Sequence, residues 1–303
     1  MDVKISIIIP CYNCQHNIQS LLDSICKNIP NYAEVILIND GSSDDTLLVI
    51  EEFINKHQVT SFKIITTENQ GAAKSRELGL EKSIGEYIFF CDADDLISDD
   101  FFAFFEQHYN SSFDMIFFSS QILDVNSKTV ISNKTLHSVD STYYDPQKFI
   151  LQQLQNNNWT SAVWTYIFKR ENLISSMAHF TNRSAHEDHL FTLMLVLSSD
   201  SIFTSRKILY QQFLTPGSLT NSPKKPDYIL HRLSAFYECL VWMGKVGVNN
   251  LLVVEYIKWS LHSVYNLFKV SKRSFFLMLF NFKNFPFFLR VGYSILSVLL
   301  NKR

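Results

Sequence analysis

The sequence predicts an α/β protein whose strands are joined by helical crossovers, and three observations carry that prediction. Short β-branched runs alternate with helical patterns up to residue 120. Hydrophobic residues make up 47% of the 303, against 18% charged, which is enough for one large or two modest cores and excludes disordered, collagen-like and low-complexity classes. Acidic and polar groups gather directly after the strand candidates, where a parallel sheet binds its ligands.

Strands are expected at Lys4–Pro10, Glu34–Asn39, Phe62–Thr66, Tyr87–Cys91 and Asp114–Ser119. Helices are expected between and after them at Ile18–Lys27, Asp45–Lys56, Ala72–Ser83 and Asp99–Tyr109, the second capped by Ser42, Asp44 or Asp45. The polar stretch 121–145 reads as a hairpin or loop before a helix over Pro146–Gln155. A second block holds strand-like Ala162–Phe168, a helix over Asp188–Leu197, and strand-like Ser201–Thr204 and Ile208–Phe213. The loop Thr215–Pro226, with three prolines and a glycine, is the best boundary in the chain. Beyond it lie helical patterns at Asp227–Gly244 and Leu251–Val270, then a Phe-rich segment over Ser274–Leu300.

The formal net charge of −2 gives no whole-chain signal for nucleic acid, but it averages a split. Residues 1–223 stand at −11 and residues 224–303 at +9, which suggests an acidic working domain joined to a basic, surface-seeking tail. Five scattered cysteines in apolar surroundings fit a reducing compartment, and Cys11 and Cys14 read as buried thiols, since no second pair completes a zinc site. The N-terminus shows no signal-peptide pattern, so a cytoplasmic chain is expected, in which the four N-x-S/T triplets would carry no sugar.

A dinucleotide fingerprint G-x-G-x-x-G is absent after the first strand and a P-loop is absent throughout, which sets aside nicotinamide dehydrogenases and P-loop enzymes. Asp92-Ala93-Asp94-Asp95 instead crowds three carboxylates into four residues. Coordination of Mg²⁺ or Mn²⁺ would relieve their repulsion and would also neutralise a diphosphate. A solvated turn with aspartates as helix caps accounts for the cluster equally well.

Four segments together resemble the nucleotide-binding half of family 2 glycosyltransferases with the GT-A fold: Pro10-Cys11-Tyr12-Asn13, Ile38 to Thr46, Asn69-Gln70-Gly71 with Arg76 and Gly79, and Gly85 to Asp95. The likeness is close over residues 1–100 and looser to 222. It implies a Rossmann-like mixed sheet flanked by helices. Residues 1–120 would be the nucleotide-binding half, 121–222 the acceptor and base half, and 223–303 a helical, basic, Phe-rich extension. Carried onto this chain, it implies that Pro10 and Tyr12 line the nucleoside pocket and that Asp40 accepts from the uracil imide. Arg76 would hold the base side with Asn69 nearby, Asp92 would touch the ribose, and Asp94, helped by Asp95, would bind the metal. A carboxylate is the right acceptor for an imide N–H, and a cation on the diphosphate stabilises the leaving group.

Family 2 enzymes carry a Glu-Asp pair with the catalytic base after a stretch like Trp164-Thr165-Tyr166-Ile167-Phe168-Lys169-Arg170; the resemblance makes Asp188 the base and Glu187 its neighbour. A helix N-terminus favours both carboxylates without any catalytic role. Tyr210 followed by Gly217-Ser218-Leu219-Thr220 resembles the family's loop over the diphosphate, with Ser218 a phosphate contact. Gln211 and Gln212 stand where some members have a metal-binding histidine, so the third protein ligand is unassigned, and His179, His186 and His189 receive no role.

Two charges and a proline make 274–300 a poor transmembrane helix. It reads either as a peripheral membrane contact in the headgroup region or as a core or homo-oligomer contact. The resulting expectation is an inverting, metal-dependent glycosyltransferase at the inner face of the cell membrane. It would move a hexose or N-acetylhexosamine from a UDP-sugar to a hydroxyl of a bacterial surface glycan of capsule or lipopolysaccharide type, carried on lipid. One rival, a sugar-nucleotide pyrophosphorylase, needs a Gly-rich, basic N-terminal loop that Pro10 to Cys14 lacks. The other, a catalytically silent scaffolding subunit, is disfavoured by intact Asp92, Asp94 and Asp188.

Overall fold

A computed structural model describes residues 2–214, 224–279 and 292. Its first half runs β1 (Ile5–Cys11), α1 (Ile18–Cys26), β2 (Ala33–Asp40), α2 (Thr46–His57), β3 (Phe62–Thr67), α3 (Ala72–Lys82), β4 (Tyr87–Phe90), β5 (Leu96–Ile97), α4 (Phe101–Tyr109) and β6 (Met115–Asp124). The second half continues with β7 (Val130–Thr135), β8 (Ser141–Tyr143), α5 (Pro146–Gln155), β9 (Tyr166–Lys169), α6 (Arg170–Ser176), α7 (Asp188–Leu197), β10 (Ile202–Leu214), α8 (Pro226–Lys245), α9 (Asn250–Val270) and α10 (Lys272–Leu279).

All the strands join one mixed sheet in the order β3-β2-β1-β4-β9-β6-β10-β5, with β7 on β6 and β8 on β10. The pairs β3–β2, β2–β1, β1–β4 and β6–β10 are parallel, and β9 enters antiparallel between β4 and β6. The strand order reverses at β1, and loops diverge there to open a crevice beyond the carboxyl ends of β1 and β4.

Both sheet faces are covered, so the strands read as nearly continuous apolar runs. The two-residue period still sorts their side chains. Ile5, Ile7, Ile9, Phe89 and Phe118 face a core with α1, α2 and α4. Ile8, Ile88, Phe90, Phe117 and Phe168 face a second core shared with α5, α7, α8 and α9. The C-terminal helices therefore complete the second core, with Phe236, Cys239 and Tyr256 buried beside Phe191. Asp145 starts α5 by accepting from the amides of Gln147 and Lys148, with Pro146 at the first helical position.

Most expected elements appear within a residue or two. Expected strand Ala162–Phe168 opens with a 3-10 turn over Val163–Thr165. The two expected pieces at 201–213 form one strand whose register shifts at Ser205, Ile208 and Tyr210, which accommodates the charged Arg206-Lys207. Asp45 precedes α2 without a side-chain cap, and Asp44 accepts from Thr46 N and Oγ1 instead. Loop 215–223 and nearly all of the Phe-rich segment beyond 279, Ser218 included, lie outside the described residues. No described helix is long and apolar enough to cross a membrane.

Gly85 lets β1 and β4 meet: a Cβ there would stand 2.6 Å from Ser6 N and Oγ, and that hydroxyl in turn donates to buried Glu34 at 2.6 Å. Gly85→Ala should lower stability by ~1–3 kcal/mol in urea unfolding. Gly244→Ala, within α8 with nothing inside 4 Å of the new methyl, should raise it by ~0.5–1 kcal/mol. Equal unfolding midpoints for the two variants would contradict this packing.

Candidate active site

The crevice forms one cleft of about 1510 Å³ whose wall runs from Pro10 and Tyr12 to the C-terminal half of α9. Its floor is built from loops at the strand ends. Gly41 turns the chain after β2 at φ +66°, and a Cβ would approach Asn69 N to 2.7 Å, so glycine permits the β2 and β3 loops to touch. Asp40, 3% exposed, then accepts from Gln70 N and Gly71 N, both at 2.8 Å, and from Thr67 Oγ1 at 3.4 Å. It shapes the loop that presents Asn69, and about one lone pair beyond these three bonds remains for a ligand, since a carboxylate accepts about four. Tyr12 is 53% exposed on the rim, a flat ring open to stacking.

After β4 the three aspartates part company. Asp92 and Asp94 are partly exposed and line the cleft. Asp95, expected to help with the metal, is 2% exposed and turned into the protein, where it accepts from Tyr210 Oη at 2.7 Å and Phe213 N at 2.8 Å. Burial and the neighbouring Asp94 and Asp92 charges push its carboxyl well up. Its work is to tie β10 to the acidic loop. Tyr210 strengthens that tie by accepting from Asp92 N at 3.1 Å and stacking on Trp164 with ring centroids 4.6 Å apart.

Arg76, expected beside a nucleobase, lines the cleft with both ends of its guanidinium engaged in ion pairs. Its side chain is 8% exposed, with Nη2 3.0 Å from Asp92 and Nη1 2.7 Å from Glu187. The guanidinium also lies 5.8 Å from the centre of the Phe180 ring. The two carboxylates raise its proton affinity against the cost of burial. Glu187 and Asp188 sit where α7 begins, after His186 at φ +62° turns the chain. Burial and the Glu187 charge push Asp188 up to about 7, against the pull of Arg76 and Arg232.

The far wall carries residues that sequence reasoning left out. Arg232 of α8 donates to Ser263 Oγ at 2.7 and 3.2 Å, to His186 Nδ1 at 3.3 Å, and to His189 Nε2. It lies over the rings of Phe236 and Trp259 at 4.7 and 5.4 Å. Lys134 of β7 lines the same stretch. Neither cation belongs to a motif; only the basic surplus after residue 223 hinted at Arg232.

A divalent cation would find Asp94 here, and Gln212 lines the cleft with a neutral oxygen. No group of three or more His, Cys, Asp or Glu gathers for a metal among the described residues. This donor set suits a cation held by one or two carboxylates and a substrate's phosphates, the usual habit of Mg²⁺, better than an all-protein cage. Cys11 and Cys14 are buried free thiols, Cys14 beside Thr46.

Residues 6–177 match the model of glycosyl transferase family 2, and the chain belongs to that family. It is similar to the putative glycosyltransferase EpsH of Bacillus subtilis, 25% identical over 226 residues that cover 73% of this chain and 64% of EpsH. It is also similar to the uncharacterized glycosyltransferase EpsJ of the same organism, 26% identical over 80% of this chain and 71% of EpsJ. Among solved structures, Staphylococcus aureus TarS 1–349 in complex with UDP-GlcNAc superposes with a TM-score of 0.72 at 22% identity, covering 97% of this chain and 81% of that one. The GT-A-like mixed sheet with C-terminal helices is thus the fold expected from the sequence.

Arg76→Met would leave Asp92 and Glu187 facing each other without their cation. A loss of ~2–4 kcal/mol in urea unfolding is expected, toward the lower end because Asp92 is 31% exposed. Unchanged stability would show that the two bridges contribute nothing net.

Proposed function

We propose that the chain is an inverting glycosyltransferase that moves a hexose or N-acetylhexosamine from a UDP-sugar to an acceptor hydroxyl of a bacterial surface glycan. The observation that carries this reading is the meeting, in one cleft, of the β2 and β4 carboxylates with Asp188, whose proton affinity is poised near neutrality. The solved complex of TarS with UDP-GlcNAc supports the choice of donor class.

In this reading Pro10, Tyr12, Asn69 and the remaining lone pair of Asp40 receive the uridine, and Asp92 meets the ribose. Asp94 would hold Mn²⁺ or Mg²⁺, which would supply positive charge to stabilise the UDP leaving group. Arg76 holds Glu187 in place, and Asp188 takes the acceptor's proton as its oxygen attacks the anomeric carbon from the face opposite UDP. One displacement inverts that centre. Ser218 is kept as a phosphate contact. The basic C-terminal region, through 274–300, would hold the enzyme at the inner face of the membrane, near a lipid-linked acceptor.

A base must be ionised to act, so transfer should rise with pH up to about 7. Asp188→Asn should cut transfer by roughly 10² or more while UDP-sugar binding persists. Its effect on stability has the opposite sign. Native Asp188 keeps its proton to about pH 7. The unfolded chain releases that proton near pH ~4, so the carboxyl costs stability as pH rises between the two. Asn should gain on the wild type across that window and hold a constant advantage above it; a difference in unfolding free energy that ignores pH would refute the raised proton affinity.

UDP binding measured by calorimetry should weaken in EDTA and recover with Mn²⁺, and Asp94→Ala should remove most of that dependence. Equal affinity with and without EDTA would overturn the metal's part in donor binding.

A further inference from the structure

Most arginines that the structure buries are answered by carbonyls or carboxylates. Arg76 meets Asp92 and Glu187, Arg183 meets Glu238 at 2.6 Å, and Arg170 donates to Gly85 O and Leu80 O. Arg232 differs, because its contacts are a serine hydroxyl and two imidazoles, all uncharged, and it forms no ion pair among the described residues. Burial and the nearby cations hold His186 and His189 well below their usual titration range, so both are neutral acceptors toward the guanidinium. The proton of each ring then sits on His186 Nε2 and His189 Nδ1, and both nitrogens are buried without a partner among the described residues. His189 is 3% exposed and lines the cleft.

Lys134 reaches the same wall from a different element and makes no ion pair among the described residues; its ammonium feels both Arg232 and Asp188. The three hydrogen bonds to His186, His189 and Ser263 Oγ, with the second to that hydroxyl, use four of the five guanidinium N–H groups. One Nη2 proton is left without a partner among the described residues, and the Lys134 ammonium is near enough to feel the guanidinium. The cluster consists of donors, lies within electrostatic reach of the Asp188 carboxylate and lines the same cleft as the loops at the ends of β2 and β3.

We propose that Arg232 and Lys134 form a phosphate-binding subsite that holds the acceptor, placing a phosphate ester of the acceptor next to the hydroxyl that Asp188 deprotonates. The subsite rests on the reading of Asp188 as the base. A tetrahedral phosphate directs its unesterified and ester oxygens out of any one plane and can accept at once from a guanidinium and an ammonium brought by different elements, whereas a planar carboxylate suits a single fork. The phosphate could belong to a lipid diphosphate carrier or to a phosphodiester within a polymer; the recognising chemistry is the same.

The test uses the full chain saturated with UDP and two probes, farnesyl diphosphate for the lipid source and dimethyl phosphate for the polymer source, with glycerol and acetate as controls, followed by ligand-observed NMR. At least one phosphorus probe should bind where the controls do not, and Lys134→Gln should weaken it by about five-fold or more without changing UDP affinity. Arg232→Gln should weaken the same probe; Lys134, on an exposed strand position, keeps the test valid if Arg232→Gln fails to fold. The probe that binds identifies the source. Binding of neither probe, displacement of UDP by the probe, or indifference to Lys134→Gln would each overturn the subsite. A chain that binds a probe but not UDP would keep the subsite and refute the donor reading.

Discussion

Arg76 is the hinge of charge on which the cleft depends. Burying a guanidinium costs several kcal/mol, and two carboxylates from distant parts of the chain repay it. Asp92 lies in the loop two residues after β4, and Glu187 opens the helix that carries Asp188, 111 residues beyond Arg76 in sequence. The same guanidinium thereby fixes the spacing of the two halves and sets the field in which Asp188 titrates. Glu187 gains a partner in Arg76, and it stands close enough to raise Asp188.

A second tie works in parallel. Tyr210 and Phe213, near the end of β10, hold Asp95 from below, so the acidic loop is anchored on one side by a buried carboxylate and on the other by Asp92 on Arg76. The exposed part of the loop is left to Asp92 and Asp94. Three adjacent acids are tolerated because their environments differ: one is shared with a guanidinium, one is buried under a phenol and an amide, and one lies on the cleft.

Local pattern was enough to read β1 to β4, α1 to α5 and α7, because β-branched runs and helical periodicity act over neighbouring residues. The two-residue β5 and seven-residue α6 are too short for any period to register. Within the site, Asp40, Asp94 and Asp188 were legible as types in order. The inward turn of Asp95 was not, since its partner Tyr210 lies 115 residues away. Arg76 was legible as a site residue but not as a bridge, for the same reason. Arg232 and Lys134 belong to no motif and reach the cleft only through tertiary packing of α8 and the β6–β7 hairpin.

Beneath Arg76 lies a layer of rings: Phe180 stacks on Phe191 at 4.1 Å, and Phe90 meets both edge-on. Mobile ions cannot enter this layer, and dissolved salt screens charges only where its atmosphere reaches, over about 8 Å at physiological strength. The cleft is therefore electrically two-tiered. Added salt weakens the attraction between the rim and an arriving anion more than it weakens the bridges on the aromatic floor. Ionic strength then acts most on the rate at which charged ligands arrive, less on the Asp92 bridge, 31% exposed, and least on the bridge to Glu187.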